Sequence, residues 1–156
     1  LMLLALLLST AQAKDLNNRV GVGVNLWFAD IPTLSVRYGV PIANEANSLW
    51  NIQAEALIGY TTDIGTPNQF AGGGRLMTAV VVEDNLNVLA GAATGVLMSN
   101  STAVLRMQPA VEIQAFPFGL NNLGITAGVG INLDLGGPET ASELEGALLG
   151  GFHYWF

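Results

Sequence analysis

Residues 123–135 read Leu-Gly-Ile-Thr-Ala-Gly-Val-Gly-Ile-Asn-Leu-Asp-Leu. The odd positions, Leu123, Ile125, Ala127, Val129, Ile131, Leu133 and Leu135, are all apolar. The even ones, Gly124, Thr126, Gly128, Gly130, Asn132 and Asp134, are small or polar. Successive side chains of a β-strand point to opposite faces, so this stretch reads as a strand with two unlike faces.

The same period recurs along the chain. Residues 19–28 set Val20, Val22, Val24, Leu26 and Phe28 against Arg19, Gly21, Gly23, Asn25 and Trp27. Residues 32–40 set Leu34, Val36, Tyr38 and Val40 against Thr33, Ser35, Arg37 and Gly39. In 50–60, Trp50, Ile52, Ala54, Ala56, Ile58 and Tyr60 alternate with Asn51, Gln53, Glu55, Leu57 and Gly59. In 70–82, Phe70, Leu76, Thr78, Val80 and Val82 oppose Gly73, Arg75 and Met77. Residues 86–98 and 103–115 repeat the pattern, the latter with Leu105, Met107, Val111 and Ile113 against Arg106, Gln108, Glu112 and Gln114. The last segment, 143–156, sets Leu144, Leu148, Phe152, Tyr154 and Phe156 against Glu143, Glu145, His153 and Trp155. Gly, Pro, Asn, Asp and Ser clusters separate the segments, as turns require. Eight strands with short connections predict an all-β, eight-stranded antiparallel up-and-down barrel.

Charged residues make up 11% of the chain and hydrophobic ones 51%, a balance that excludes disorder. There is no cysteine, so neither a disulfide scaffold nor a Cys-based metal site is available. A formal charge of −7 argues against nucleic acid as a partner. Residues 1–8 are LMLLALLL, followed by Ser9-Thr10 and Ala11-Gln12-Ala13. An apolar run ending in an A-x-A site is expected to be the end of a secretory signal peptide, with the barrel domain occupying 14–156. After it, no apolar run approaches the length of a membrane-spanning helix.

The placement of charge decides which solvent each face meets. The apolar face carries no charged residue in any of the eight segments. The other face carries Arg19, Arg37, Arg75, Arg106, Glu55, Glu112, Asp134, Glu143 and Glu145. A soluble sheet turns its apolar face inward and coats the other in Lys and Glu. No strand here contains Lys. A transmembrane barrel reverses the faces, because a charge facing lipid at the midplane costs about 2–4 kcal/mol. Closure also satisfies the backbone groups that lipid cannot. The nine charged residues are therefore expected to form an ion-pair network in the lumen, since unpaired buried charge is costly. That network either plugs the barrel or lines a thin polar path. Inward glycines are expected to make room for Arg37, Trp27 and Trp155.

The chain ends Phe152-His153-Tyr154-Trp155-Phe156. A terminal Phe with alternating aromatics before it resembles the C-terminal signal of bacterial outer-membrane barrels, and the whole chain from 14 on resembles the small OmpA/OmpX-like type. The resemblance implies a monomer in a Gram-negative outer membrane, in contact with membrane lipid and lipopolysaccharide. It also implies that Phe152, Tyr154 and Phe156 are read by the barrel assembly machinery after delivery by periplasmic chaperones. The same aromatics would belong to a girdle at the periplasmic rim with Tyr38 and Trp50, and Phe28, Tyr60 and Phe70 would lie near the opposite rim. The loops expected on the outer side are short, which argues against recognition by long loops.

Other classes remain open. Small barrels that cleave or transfer lipid A acyl chains need a nucleophile, a base and an orienting group. The single histidine, His153, sits far from the expected outer rim and beside no local serine, so an interior hydrogen-bonded role is expected. His153, Glu143 and Glu145 lack metal-ligand spacing, and no cofactor or metal is expected. Leu57, Met77, Leu89, Leu97 and Leu149 on the inner face leave room for a small apolar ligand. A soluble lipocalin-like binder would need a polar outer face, which the segments lack.

Overall fold

The computed structural model describes residues 16–26, 31–41, 51–62, 68–83, 85–99, 102–117, 120–136 and 143–156, with side chains in the last stretch described from 145 onward. The expectations for residues 1–13, Trp27, Phe28 and Trp50 lie outside the described residues. Eight strands follow in order: β1 (Val20–Asn25), β2 (Thr33–Val40), β3 (Ile52–Thr61), β4 (Gln69–Glu83), β5 (Leu86–Ser99), β6 (Thr102–Ala115), β7 (Leu123–Leu135) and β8 (Glu143–Trp155). Each pairs antiparallel with the next, and β8 pairs with β1 to close the barrel. Among the described residues no helix is long and apolar enough to cross a membrane, which says nothing about strands.

The two faces are inverted relative to an ordinary sheet protein. Leu148 is 87% exposed and Val80, Leu76 and Val129 more than half exposed, whereas Arg37, Gln53, Gln108, Glu112, Gln114 and His153 are buried. The interior is banded, and β8 crosses the bands in sequence. Leu149 packs with Ile31, Leu57, Ala71, Ala93 and Ala110 toward one end. Then come Gly151 and the buried His153. Trp155 packs with Leu16 and Phe116 at the end where β1 begins and β8 finishes. A polar belt therefore lies between two apolar bands. Neither Leu16 nor Phe116 stands in a strand, and strand periodicity alone could not assign them to the interior.

β4 departs from strict alternation. Its register with β5 passes from Ala79↔Leu89 to Val81↔Val88, a β-bulge. One extra residue reverses the pleat beyond it. Val80 and Val81 are consequently both exposed, while Val82 packs inward against Met77, Ala79 and Leu89. Simple alternation put Val82 on the outer face with Val80, and the bulge overturns that. Pro109, which has no N–H to give a ladder, is accommodated on β6 without slippage: pairing with β7 skips from Met107↔Leu133 to Ala110↔Gly130. Gln108 Nε2 donates to Asn132 Oδ1 at 2.6 Å across that interval.

Two glycines of β1 set how tightly the barrel closes. Over Gly21 lies the Trp155 ring, whose Cδ2 would be 2.9 Å from an added Cβ, so this inward glycine does make room for Trp155. At Gly23 an added Cβ would fall 1.8 Å from the Phe152 carbonyl oxygen of β8. Gly23→Ala must therefore push the β1–β8 seam apart, at more than the ~1–3 kcal/mol of ordinary overpacking. Gly146→Ala meets nothing within 4 Å and is expected to stay within about 0.5 kcal/mol of the parent. Chemical denaturation of the two variants checks this, and equal stabilities would contradict it.

Candidate functional site

Register alone brings three of the charges together. Arg37 of β2 stands opposite Glu55 of β3, and Glu55 stands opposite Arg75 of β4. The fourth charge comes from β6, four strands from β2 and so on the facing wall. Glu112 accepts two hydrogen bonds from Arg37, NH1 to Oε1 at 2.6 Å and NH2 to Oε2 at 3.2 Å. Its Oε2 also lies 3.1 Å from Arg75 NH1. Glu55 Oε2 accepts from Arg75 Nε at 2.6 Å, pairs with Arg75 NH2, and lies 3.2 Å from Arg37 Nε. Two guanidiniums thus face two carboxylates in a closed ring of ion pairs, all four side chains at most 2% exposed. Forked guanidinium geometry suits arginine to this duty, where lysine would offer only a point charge.

Neutral amides extend the ring. Gln53 lies 3.4 Å from Arg37 NH1 through Oε1, and its Nε2 donates to Gln114 Oε1 at 3.0 Å. Asn87 Nδ2 reaches the same Gln114 oxygen at 3.3 Å, and Asn25 Nδ2 donates to Glu55 Oε1 at 2.9 Å. Buried charge needs such partners, because guanidinium and carboxylate carry more hydrogen-bonding sites than one another's contacts can fill.

The remaining expected members lie elsewhere. Arg106 pairs with Asp134, its register partner, through Nε–Oδ1 at 2.7 Å and NH2–Oδ2 at 2.6 Å, partly exposed and apart from the ring. Arg19 precedes β1 and does not join the ring. It clips the end of β8 instead, donating to the carbonyls of Phe156 at 3.2 Å and Trp155 at 3.0 Å and to Asn122 Oδ1 at 2.9 Å. Glu145 is exposed beyond the buried part of β8, opposite Asn132. Glu143 has its backbone opposite Asp134, and its side chain lies outside the described residues. Phe152, Tyr154 and Phe156 stand on the outer surface, the last two edge to face with centroids 5.0 Å apart.

His153 has a neighbour that linear spacing concealed. Gly23 is opposite Ser35 on one side and His153 on the other, and its missing side chain lets them meet. Ser35 Oγ lies 2.6 Å from His153 Nε2 and donates to Glu55 Oε1, which is 3.5 Å from the same ring nitrogen. With the serine hydroxyl donating to Glu55, Ser35 Oγ accepts from the ring only in a form that carries a proton on Nε2. A general base needs a bare lone pair there and an orienting acceptor on Nδ1. His153 Nδ1 has no hydrogen-bond partner among the described residues, and Ser35 and His153 are fully buried. The serine, histidine and carboxylate extend the buried network. An inward glycine flanked across both ladders by polar residues was the signal for this contact. Among the described residues no group of three His, Asp or Glu is placed to hold a metal ion. The chain matches no family model, no curated protein and no solved structure.

Removing one corner of a buried ring strands the others. Glu112→Ala is expected to cost about 3–5 kcal/mol. Asp134→Ala, at a pair whose carboxylate is 21% exposed, is expected to cost less than half as much. Denaturant titration of the two variants measures the difference, and equal losses would contradict the ring's role.

Proposed function

We propose that this chain is an integral barrel of a bacterial outer membrane, of the small OmpA/OmpX-like type, with a structural role and a lumen closed by its own side chains. The observation that carries the reading is the inversion of the barrel: apolar side chains ring the outside while arginine, glutamate and glutamine fill the inside. Soluble monomers rarely present continuous apolar surface beyond a few hundred Å². An outer face that runs apolar around all eight strands suits lipid, and a closed ladder suits a medium that cannot hydrate backbone. A soluble ligand-binding barrel would put these two faces the other way round.

Further features support the same reading. Tyr38, Tyr154 and Phe156 lie on the outer surface near the end where β1 begins and β8 finishes, and Tyr60 and Phe70 pair near the other end. Two aromatic belts are what two membrane interfaces select. The terminal Phe and the alternating aromatics before it fit recognition by the assembly machinery after delivery by periplasmic chaperones. The ring of ion pairs between two apolar bands favours a plug over a thin polar path. The Ser35–His153 contact lends the lipid-modifying enzyme reading no support, because both side chains are fully buried.

Val129 stands near the middle of β7 on the outer face. Val129→Arg is expected to cost about 2–4 kcal/mol in a bilayer and to deplete folded protein from the outer-membrane fraction. Recovery of that variant at parental level, folded and membrane-bound, would overturn the assignment of this face to lipid.

A further inference from the structure

The barrel end remote from the start of β1 and the end of β8 holds a cavity of about 230 Å³ whose residues come from the start of β4, the end of β5, the start of β6 and the segment before β2. We infer that it binds one alkyl chain of a lipid in the surrounding membrane, an inference that rests on the membrane reading above.

Three observations carry it. The first is where the cavity opens. Leu97 and Val104 are register partners on the inner face, while Phe70 and Met98 are register partners on the exposed outer face, and all four line it. The cavity therefore reaches both faces at the rim, continuous with the apolar outside of the barrel. Whatever coats that outside has direct access to it.

The second is its floor. Ile31 belongs to the buried apolar band with Leu57, Ala71 and Ala93, and Leu97 packs against the same band. The third is the chemistry of its polar lining: Gln69, Ser99 and Thr102 are all neutral. No side chain lining it among the described residues is charged, which suits an uncharged group.

Volume and polarity together choose the occupant. The space would take about seven or eight waters, each wanting two to four polar partners. Three neutral polar side chains among the described lining residues supply few of them, and the rest of that lining is apolar. A run of methylenes of similar number leaves no such demand, and its burial is favourable. A hydroxyl or ester oxygen at one end of the chain can meet Gln69, Ser99 and Thr102. The site is thus matched to a single medium-length alkyl chain with an uncharged polar end.

The test is photolabelling of the folded barrel in phosphatidylcholine nanodiscs, using dodecanol bearing a terminal diazirine, with labelled residues mapped by mass spectrometry. Labelling at Leu97 and Val104 is expected to saturate and to fall about tenfold when unlabelled dodecanol is present well above its Kd. Labelling at the outward Val129 and Leu148 is expected to rise without saturation. Leu97→Trp, which fills the cavity, should remove the saturable labelling and keep the outer labels as proof of an inserted barrel. Val104→Trp serves the same purpose if Leu97→Trp does not fold. Outer labels without a saturable component at Leu97 or Val104, or a saturable component that survives both variants, overturn this inference alone. Failure to label Val129 and Leu148 at all overturns the membrane reading with it.

Discussion

A guanidinium removed from water needs a carboxylate against it and further acceptors around it, and this barrel buries two of them at its centre. Arg37 and Arg75 satisfy that need only when β2, β3 and β4 hold one register and β6 stands across the lumen at the right distance. Shifting β3 by one residue against its neighbours would turn Glu55 outward and leave both arginines short of an acid, since a one-residue slip reverses every side chain. A two-residue slip would preserve the alternation of faces, but it would break a closed ring of four charges. The ring therefore specifies the register that brings opposite walls of the barrel together.

The other interior features follow from making room for that ring and keeping it dry. Inward glycines on β1 accept the bulk of Trp155 and allow Ser35 and His153 to meet. Apolar bands on either side reduce the water that would compete for the ion pairs, and a low dielectric strengthens each pair once formed. Leu16 and Phe116, which come from outside the strands, complete the band with Trp155. Arg19 then ties the start of β1 to Trp155, Phe156 and Asn122, across the β1–β8 seam.

Much of this was legible in the sequence, for a physical reason. Period two is the most direct imprint a strand leaves, and β7 shows it without interruption from Leu123 to Leu135. Strand count, order and the sorting of Arg37, Glu55, Arg75 and Glu112 to one face followed from that period. Three things did not. The bulge at Ala79 to Val81 has no residue signature here, so Val82 was assigned to the outside. Strand ends were harder than strand centres: Arg19 and Glu145 continue the alternation in sequence, yet one lies beyond the pleat and the other where the wall meets solvent. Contacts across the lumen, such as Arg37 with Glu112, depend on which strands face one another in a closed sheet, and no local window contains both.

The central claim is that the outer face meets lipid while the inner face is sealed. Nitroxide labels placed one at a time from Ile125 to Asn132 on β7, in the barrel reconstituted into phospholipid vesicles, test both halves of it. The account predicts a period of two. Labels at Ile125, Ala127, Val129 and Ile131 should be accessible to oxygen and shielded from a water-soluble nickel chelate, and labels at Thr126 and Asn132 should be reached by neither. Access of the nickel chelate to the odd positions would contradict the lipid face, and its access to the even positions would contradict the closed lumen.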